Sequence, residues 1–188
     1  MEDFSDKWLP TYIRHGLTVL FCGINPGRVS ATKGFHYANP ANLFWRGLYE
    51  GGLTPVQLKP EETMHLLDCN YGITDLVAKP THGSGDLGKN DFAEGTANFV
   101  QMVQTYRPRV ICFNGVTAFR HATGRHKEKV SVGLQDGLFF GNDEWDGAYV
   151  FLVPSTSGAN ANFTREERLR LFGVLSEWLR EKGWHPLA

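Results

Sequence analysis

Three polar segments of the chain carry side chains that could take part in chemistry. The first is Gly-Ile-Asn-Pro-Gly at residues 23–27, which holds an amide directly after an apolar run. The second, residues 33–45, places Tyr37 before a predicted helix whose first turn holds Asn42. The third, residues 153–158, is rich in small hydroxyl residues, which can donate to a phosphate without any net positive charge. Alone, an Asn-Pro-Gly turn is most often just a tight turn, so a functional interpretation needs all three segments.

Buried strands that alternate with helices form the predicted scaffold. Continuous apolar runs predict strands buried on both faces at residues 17–24, 109–113 and 148–153. Helices are predicted at residues 40–50, 60–67, 91–106 and 164–183, the last beginning with a Thr164–Glu167 capping box. This pattern predicts an α/β fold, a three-layer sandwich with a mostly parallel central sheet flanked by helices. We expect a single domain over residues 1–188, with residues 1–15 as an N-terminal extension.

The loops that follow the predicted strands are where a binding site is expected, because ligands of such sheets bind at the carboxyl ends of the strands. These loops are residues 23–30, 114–115 and 154–162. The three polar segments either coincide with these loops or lie next to them. The sequence therefore predicts one site, built from distant parts of the chain.

Composition excludes several classes of protein. The three cysteines are widely spaced and form no CxxC pair, so we expect neither a zinc site nor an iron–sulfur cluster, and no other cofactor. A nucleotide hydrolase is disfavoured because the chain has neither a GxxxxGK(S/T) loop nor an acidic metal cluster. The polar N-terminus and the lack of long apolar stretches predict a soluble intracellular monomer, cytoplasmic in a prokaryote or nuclear in a eukaryote.

The ordered set of motifs resembles the mismatch-specific uracil/thymine-DNA glycosylase family of the uracil-DNA glycosylase superfamily. The resemblance runs from about residue 17 to residue 163 and begins with Gly-Ile-Asn-Pro-Gly. It continues with Lys-Gly-Phe-His-Tyr at residues 33–37 and Pro-Ala-Asn-Leu-Phe-Trp at residues 40–45. Shorter matches are Gln57-Leu58, Tyr71-Gly72-Ile73-Thr74, Glu94-Gly95, Phe113-Asn114-Gly115 and Pro-Ser-Thr-Ser at residues 154–157.

The resemblance implies a role for each residue of the base pocket. Asn25 would be the catalytic residue and would hold the attacking water with its side-chain amide. Tyr37 would stack on the flipped base, while backbone N–H groups around Ile24 and Tyr37 would bind the pyrimidine oxygens. His36 would be a helper, and an exposed loop histidine without function is the alternative.

The resemblance also implies DNA contacts outside the base pocket. Asn42 and Ser155 would bind phosphates or shape the pocket, although for Asn42 a contact at the helix N-terminus explains the residue type equally well. Further DNA contacts would come from the loop Ser155, Thr156, Ser157, Gly158 and Ala159. Main-chain carbonyls near Thr156 and Gly158 would read the guanine left unpaired.

Two positions depart from the family in ways that bear on substrate choice. Asp75 stands where members carry Asn or Lys, and its carboxylate would accept from an exocyclic amine or a ring N–H unless it is a solvated loop acid. Ala159 stands where the family typically has a bulky Arg that fills the gap left by the flipped base. Asn160 and Phe163 are the alternatives for that role. A third departure, Val116 in place of a Lys, removes one phosphate contact.

The sequence therefore predicts a monofunctional DNA glycosylase that flips uracil out of G·U mispairs in double-stranded DNA and removes it hydrolytically. Thymine in G·T mispairs and ethenocytosine are further candidate substrates. Strand cleavage is not expected, because the motif offers no lysine for a Schiff base. The alternative is a non-catalytic protein that binds DNA mismatches or lesions.

Overall fold

Six strands within the described part of the chain form a mixed sheet whose central members are parallel. The structure is a computed structural model that describes residues 4–187, so Met1–Asp3 of the predicted extension and Ala188 lie outside it. The strands are β1 (Val19–Gly23), β2 (Tyr71–Asp75), β3 (Val110–Asn114), β4 (Gly133–Leu134), β5 (Phe139–Asn142) and β6 (Trp145–Val153). Their order is β2-β1-β3-β6-β4, and β5 also pairs with β6.

The strand pairing brings distant parts of the chain to one edge of the sheet. Val19 of β1 lies beside Tyr71 of β2 and Val110 of β3, and all these pairings are parallel. β6 runs parallel to β3, whereas β4 and β5 pair with β6 in the antiparallel sense. The carboxyl ends of β1, β2, β3 and β6 therefore meet at the same edge, as the sequence predicts.

Five α-helices in residues 4–187 cover the sheet on both faces. They are α1 (Arg28–Lys33), α2 (Phe44–Glu50), α3 (Lys89–Tyr106), α4 (Val116–Thr123) and α5 (Arg165–Glu181). Two 3₁₀ helices span Pro60–Leu66 and Ser84–Asp86. Side chains that alternate along β1 point to different layers: Val19 and Phe21 pack with α2 and α5, while Leu20 and Cys22 pack with α3 and α4. The predicted three-layer α/β sandwich is confirmed.

The predicted elements agree with the structure where the chain is apolar on both faces or has clear capping residues. The three predicted strands appear as β1, β3 and β6 with shifted ends, and β6 begins earlier, at Trp145. The capping box of α5 is present: Glu167 N–H donates to Thr164 Oγ1 at 3.2 Å, and Thr164 N–H donates to Glu167 Oε2 at 2.7 Å. Strands β2, β4 and β5 and helices α1 and α4 were not predicted.

Helix α2 begins four residues later than Pro40, where the sequence predicted its start. The side chain of Asn39 accepts from the backbone N–H of Ala41 at 2.9 Å, and that of Asn42 accepts from Phe44 N–H at 2.9 Å. These local hydrogen bonds hold the segment before Phe44 in turns. The bond from Asn42 also gives an acceptor to the backbone N–H of Phe44, which has no partner within the helix. The predicted helix over residues 60–67 is a 3₁₀ helix, Pro60–Leu66.

Within residues 4–187, none of the helices combines the length and the apolar character needed to cross a bilayer.

Candidate active site

A pocket of about 360 Å³ lies at the edge of the sheet where the parallel strands end. Each strand contributes to it: Gly23 from β1, Asp75 from β2, Asn114 from β3, and Ser155 from the loop after β6. Further lining residues are Leu9, Ile24, Asn25, Pro26, Gly27, Arg28, Val29, Ser30, His36, Tyr37, Asn39, Asn42, His82, Gly83, Ser84, Thr156 and Ser157. All predicted site residues except Gly158 and Ala159 therefore line one cavity.

The amide of Asn25 is held in one orientation by its donors. Nδ2 donates to the carbonyl of Lys79 at 2.9 Å and to Thr81 Oγ1 at 2.7 Å, with a weaker contact to the carbonyl of Pro26 at 3.3 Å. Thr81 Oγ1 uses its own hydrogen on the carbonyl of Gly83 at 2.8 Å, so it accepts from Asn25. Because both hydrogens of Nδ2 are engaged, the group left for a bound molecule is Oδ1, a hydrogen-bond acceptor.

His36 and Asp75 form a buried pair at the end of β2. His36 Nδ1 lies 3.3 Å from Asp75 Oδ2, and the two side chains are only 3% and 8% exposed. His36 Nε2 lies 2.8 Å from the carbonyl of Pro10, to which it donates. The expectation of an exposed loop histidine is therefore wrong, and so is that of a solvated Asp75. His36 is packed against Pro10 and Tyr12 of the N-terminal segment, and Asp75 lies against the end of β1 at Gly23.

The charge on Asp75 decides the protonation of His36. Burial lowers the pKa of the imidazole, but the hydrogen bond to Asp75, the negative charge of Asp75 and the hydrogen bond to the Pro10 carbonyl together outweigh it, so the pKa is raised above its ordinary value. In the protonated form, both ring nitrogens donate, one to Pro10 and one to Asp75. The second carboxylate oxygen of this pair, Asp75 Oδ1, accepts no hydrogen bond from residues 4–187.

Gly23 allows the strand end to approach this carboxylate closely. A Cβ atom at residue 23 would lie 2.3 Å from Asp75 Oδ1 and 2.8 Å from the hydroxyl of Tyr37, both shorter than real contacts. The φ angle of Gly23 is not in the left-handed region, so packing and not backbone conformation requires glycine here. The absence of a side chain brings Asp75 and Tyr37 together at the end of β1.

Tyr37 lines the pocket in an unusual conformation. Its φ angle is +52°, its ring stacks on Phe44 with centroids 4.2 Å apart, and its hydroxyl is buried without a hydrogen-bond partner. Burial and the charge of Asp75 raise the pKa of Tyr37 well above its usual value, and the nearby Asn114 lowers it only in part. The phenol is therefore neutral, and one face of its ring is already occupied by Phe44.

Asn114 and Thr156 tie the end of β3 to the loop after β6. Asn114 Nδ2 donates to Thr156 Oγ1 at 2.7 Å, and the Thr156 backbone N–H donates to Asn114 Oδ1 at 2.9 Å. The carbonyl of Thr156 accepts from Leu43 N–H at 3.0 Å. Thr156 is fully buried. Its side chain thus shapes the pocket wall, and it is not exposed for the direct DNA contact that the sequence predicted.

The next part of this loop, residues 157–160, is exposed or half-buried, and two side-chain hydrogen bonds stabilise its backbone. The buried guanidinium of Arg168 donates to the carbonyl of Ser157 at 2.8 Å, and Asn160 Nδ2 donates to the carbonyl of Ser155 at 2.8 Å. Asn160 is thus used within the loop. Ala159 is exposed, and Gly158 packs so closely that a Cβ there would lie 2.8 Å from the Ala41 methyl. No large side chain extends from residues 157–160.

Asn42 lines the pocket while its Oδ1 caps the start of α2 through Phe44 N–H, as the helix-contact alternative predicted.

Two segments that contribute to the site are not predicted by the sequence. One is the segment from Lys79 to Ser84, which orients Asn25 and supplies His82, and the other contains Leu9 and Pro10. The alternating apolar pattern carries no signal for either segment, because both are irregular. Among residues 4–187, no group of three or more His, Cys, Asp or Glu side chains is arranged to hold a metal.

Comparisons with known proteins point to one family. The model of the family described as the Uracil DNA glycosylase superfamily matches residues 10–186, which is nearly the whole chain. A solution NMR structure of a candidate uracil DNA glycosylase from Methanosarcina acetivorans superposes with a TM-score of 0.59. At 20% sequence identity, the match covers 89% of this chain and 96% of that one, and so supports the same fold.

Proposed function

The chain belongs to the uracil DNA glycosylase superfamily, and from this premise we propose that it is a monofunctional glycosylase that removes uracil from G·U mispairs in double-stranded DNA. The observation that carries this proposal is the orientation of Asn25. Its Nδ2 hydrogens are used by Lys79 and Thr81, so Oδ1 is left as an acceptor in the pocket. An acceptor at this position suits a water molecule that must be held and aimed.

The proposed reaction is a hydrolysis at C1′ of the deoxyribose. The bond between C1′ and N1 breaks with its electron pair going to the base, which leaves as a delocalised anion. The oxygen of the water held by Asn25 then bonds to C1′, and the proton that the water loses balances the one that the base anion takes up, so the products are neutral uracil and an abasic sugar. An amide is a poor base, so Asn25 contributes positioning instead of proton abstraction, and we expect a modest rate.

Asp75 is proposed to select the base. Its Oδ1 is free to accept, and a carboxylate accepts hydrogen bonds without donating any. Uracil and thymine carry a ring N3–H that can donate to it, whereas ethenocytosine has lost both this type of ring N–H and the exocyclic amine. Uracil and thymine should therefore be removed faster than ethenocytosine. His36 holds the carboxylate in place from the other side.

Two further contacts are proposed for the extruded nucleotide. The face of the Tyr37 ring that does not pack on Phe44 would stack on the base, and the backbone N–H groups of Ile24 and Tyr37 would bind the pyrimidine oxygens. Arg28 lines the pocket and forms no ion pair with residues 4–187, so it is available to a phosphate. Ser155 and Asn42 would contact the same strand.

The preference for mispairs is proposed from the loop after β6. Extruding a base costs roughly a few kcal/mol, and less where the pair is already weak. Residues 157–159 of this loop have only small side chains, and Ala159 is exposed where a bulky residue would fill the stack. A G·U pair should therefore be opened more readily than an A·U pair.

The test is single-turnover cleavage of a labelled duplex with one G·U pair, developed with alkali to reveal abasic sites. Parallel substrates carry A·U, G·T, ethenocytosine opposite guanine, or uracil in a single strand. Asn25→Ala should lose about a hundredfold or more in rate, because the water loses its position. Asn98→Ala, an exposed amide on α3, is the matched control and should behave as the native protein. Equal rates with and without the Asn25 amide would refute the mechanism.

The same small loop favours a second candidate, a non-catalytic protein that binds mismatches or lesions. An exposed Ala159 leaves the stack unfilled, which would hinder productive flipping. The fixed amide of Asn25 argues against this candidate, since a binding protein has no need to position water. Duplex binding without cleavage of any uracil substrate would establish it.

A further inference from the structure

The described N-terminal segment lies along one side of the pocket. We call residues 4–12 the N-terminal strap. The ring of Phe4 packs edge-on against His82 with centroids 4.9 Å apart, and the carbonyl of Pro10 accepts from His36 at 2.8 Å. Leu9, between them, is part of the pocket lining. The strap therefore runs from the His82 loop to His36 across the rim.

The far end of the strap is fixed to the outer edge of the sheet. Tyr12 and Ile73 exchange backbone hydrogen bonds of 3.0 and 2.9 Å, as an isolated antiparallel bridge on β2. The hydroxyls of Thr11 and Thr74 lie 2.9 Å apart and bond to each other. These contacts fix the backbone just after Leu9, so the residues at the rim have a defined position.

Trp8 is the most exposed large apolar side chain in the described part of the chain, at 65% of its full area. Of the other four tryptophans, Trp45 is buried and Trp145, Trp178 and Trp184 are half-buried. An indole this exposed leaves a large apolar area in water, which costs free energy in the isolated protein. The exposed indole is directly adjacent in sequence to a residue that lines the pocket.

The two rims of the pocket differ in what they offer to DNA. The strap lies on the β2 side of the sheet, whereas the loop after β6 lies on the other side of β1 and β3. Residues 157–159 of that loop carry only small side chains, and Phe163, further along the loop, is half-buried. The rim of β2 carries Trp8. The large side chain next to the pocket is thus on the opposite rim from the loop that the family resemblance singles out.

We propose that Trp8 stacks on a base of the DNA strand next to the extruded nucleotide. This inference rests on the proposed function, because only a nucleotide held in the pocket brings the neighbouring base to the rim. Trp8 immediately precedes Leu9, which lines the pocket, and their Cα atoms are about 3.8 Å apart. The exposed indole therefore offers an aromatic surface beside the pocket to a base that neighbours the extruded nucleotide.

An aromatic platform suits this partner better than a charged one. Stacking on an aromatic side chain stabilises the binding of a base and tolerates any base, since each has a π face. A repair enzyme meets its target base in every sequence context. Stacking from Trp8 would hold the strand while leaving the choice of base to the pocket.

The experiment measures binding to a duplex that carries a tetrahydrofuran abasic-site analogue opposite guanine, by fluorescence anisotropy of labelled DNA. Trp8→Ala should raise Kd about tenfold, in line with the loss of one stacked base. Trp8→Phe keeps an aromatic ring and should recover most of the affinity. Met64→Ala, which removes an apolar side chain of 62% exposure before the amino end of β2, is the matched control and should leave Kd unchanged.

Acrylamide quenching of tryptophan fluorescence gives a second, independent readout. In the native protein, the exposed component from Trp8 should become protected when the duplex is added, and Trp8→Phe should lack this change. Circular dichroism at each step checks that the variants are folded. Unchanged Kd for Trp8→Ala together with unprotected Trp8 in the complex would overturn the inference.

This failure is distinguishable from failure of the proposed function. If the native protein cuts G·U duplexes and Trp8→Ala has the same Kd as the native protein, only the stacking proposal is wrong. If the native protein neither binds nor cuts any uracil duplex, the glycosylase proposal itself is wrong. No nucleotide would then be held in the pocket, and no neighbouring base would be brought to Trp8.

Discussion

Thr81 accepts a hydrogen bond from the amide of Asn25 at 2.7 Å while donating its own hydrogen to the carbonyl of Gly83. Because Thr81 Oγ1 donates to Gly83, it can only accept from Asn25, and the amide must therefore turn its nitrogen, not its oxygen, towards Thr81. Thr81 touches no reacting atom in the proposed mechanism, so it is a positioning residue. Its hydroxyl determines which end of Asn25 faces a bound water.

Thr81→Val should therefore lower the single-turnover rate on G·U duplexes by about tenfold, because the amide loses a partner and its orientation becomes less defined. The concentration of enzyme at half-maximal rate should change little. Thr81→Ser keeps the hydroxyl and should restore most of the rate. A valine variant with the native rate would show that Lys79 alone orients the amide.

The His36–Asp75 pair should make stability depend on pH. The pKa of His36 is raised in the folded protein, so the stabilisation from its protonated form is complete below the unfolded value of about 6.5 and is lost as the pH rises through the folded pKa. His36→Gln cannot titrate, yet its amide can still donate to Pro10. The native protein should therefore exceed His36→Gln in free energy of unfolding at pH 6, and the difference should shrink towards pH 9.

Urea denaturation at several pH values gives this difference directly. The histidines other than residue 36 are present in both proteins, so their contributions cancel in the comparison. A constant difference across the range would mean that His36 stays in one protonation state throughout. The shift of the His36 ring protons with pH in NMR spectra reports the same titration by another route.

Gly23→Ala should destabilise the protein, because the added methyl group would overlap Asp75 Oδ1 and the Tyr37 hydroxyl. We expect a loss of about 1–3 kcal/mol in the free energy of unfolding, with weaker DNA cleavage as well. Gly173→Ala makes the same chemical change in α5, where nothing lies within 4 Å of the new atom. There the loss of backbone freedom in the unfolded chain should stabilise by roughly 0.5–1 kcal/mol.

Thermal and urea unfolding measure the change in the free energy of unfolding for both glycine variants, and the two changes should have opposite signs. Destabilisation by both would point to a general intolerance of the fold, whereas stabilisation by both would show that the Asp75 carboxylate moves away without cost.

Ala159→Arg should broaden the range of substrates. Residue 159 is exposed beside the pocket, and an arginine there can fill the space that an extruded base leaves. We expect A·U duplexes to be cut faster by about tenfold, since one tenfold step corresponds to about 1.4 kcal/mol of the few kcal/mol that flipping costs. Rates on single-stranded uracil should not change, because no pair has to be opened. The same single-turnover assay measures both substrates.

The parts of the fold that the sequence predicted have a strong local signal. β1 and β3 are uninterrupted apolar runs because helices cover both of their faces, and the first residues of α5 carry a capping box. Strand β2 has no such run, since Gly72 and Thr74 break it. Its identity as a strand depends on pairing with β1, a contact from a distant part of the chain.

The candidate site was predicted to a similar extent. The motif residues Asn25, Tyr37 and Asn42 line the cavity that the loop positions predicted. The burial of His36 was not predictable, because it depends on the carbonyl of Pro10 and on Asp75, neither of which is near it in sequence. Local pattern identifies the residue types, while the partners that set their charge and orientation come from the tertiary structure.

The parallel pairing of β3 with β6 has a consequence for the nascent chain. One wall of the pocket, at Ser155 and Ser157, follows the ninth and last residue of β6, so it is translated after the other strands. Pairings between parts of a chain so far apart form slowly. A nascent chain that is translated only as far as β5 therefore presents Asn25 beside an incomplete cavity. The pocket is complete only when β6, the last of the parallel strands, has joined the sheet and the loop after it has been translated.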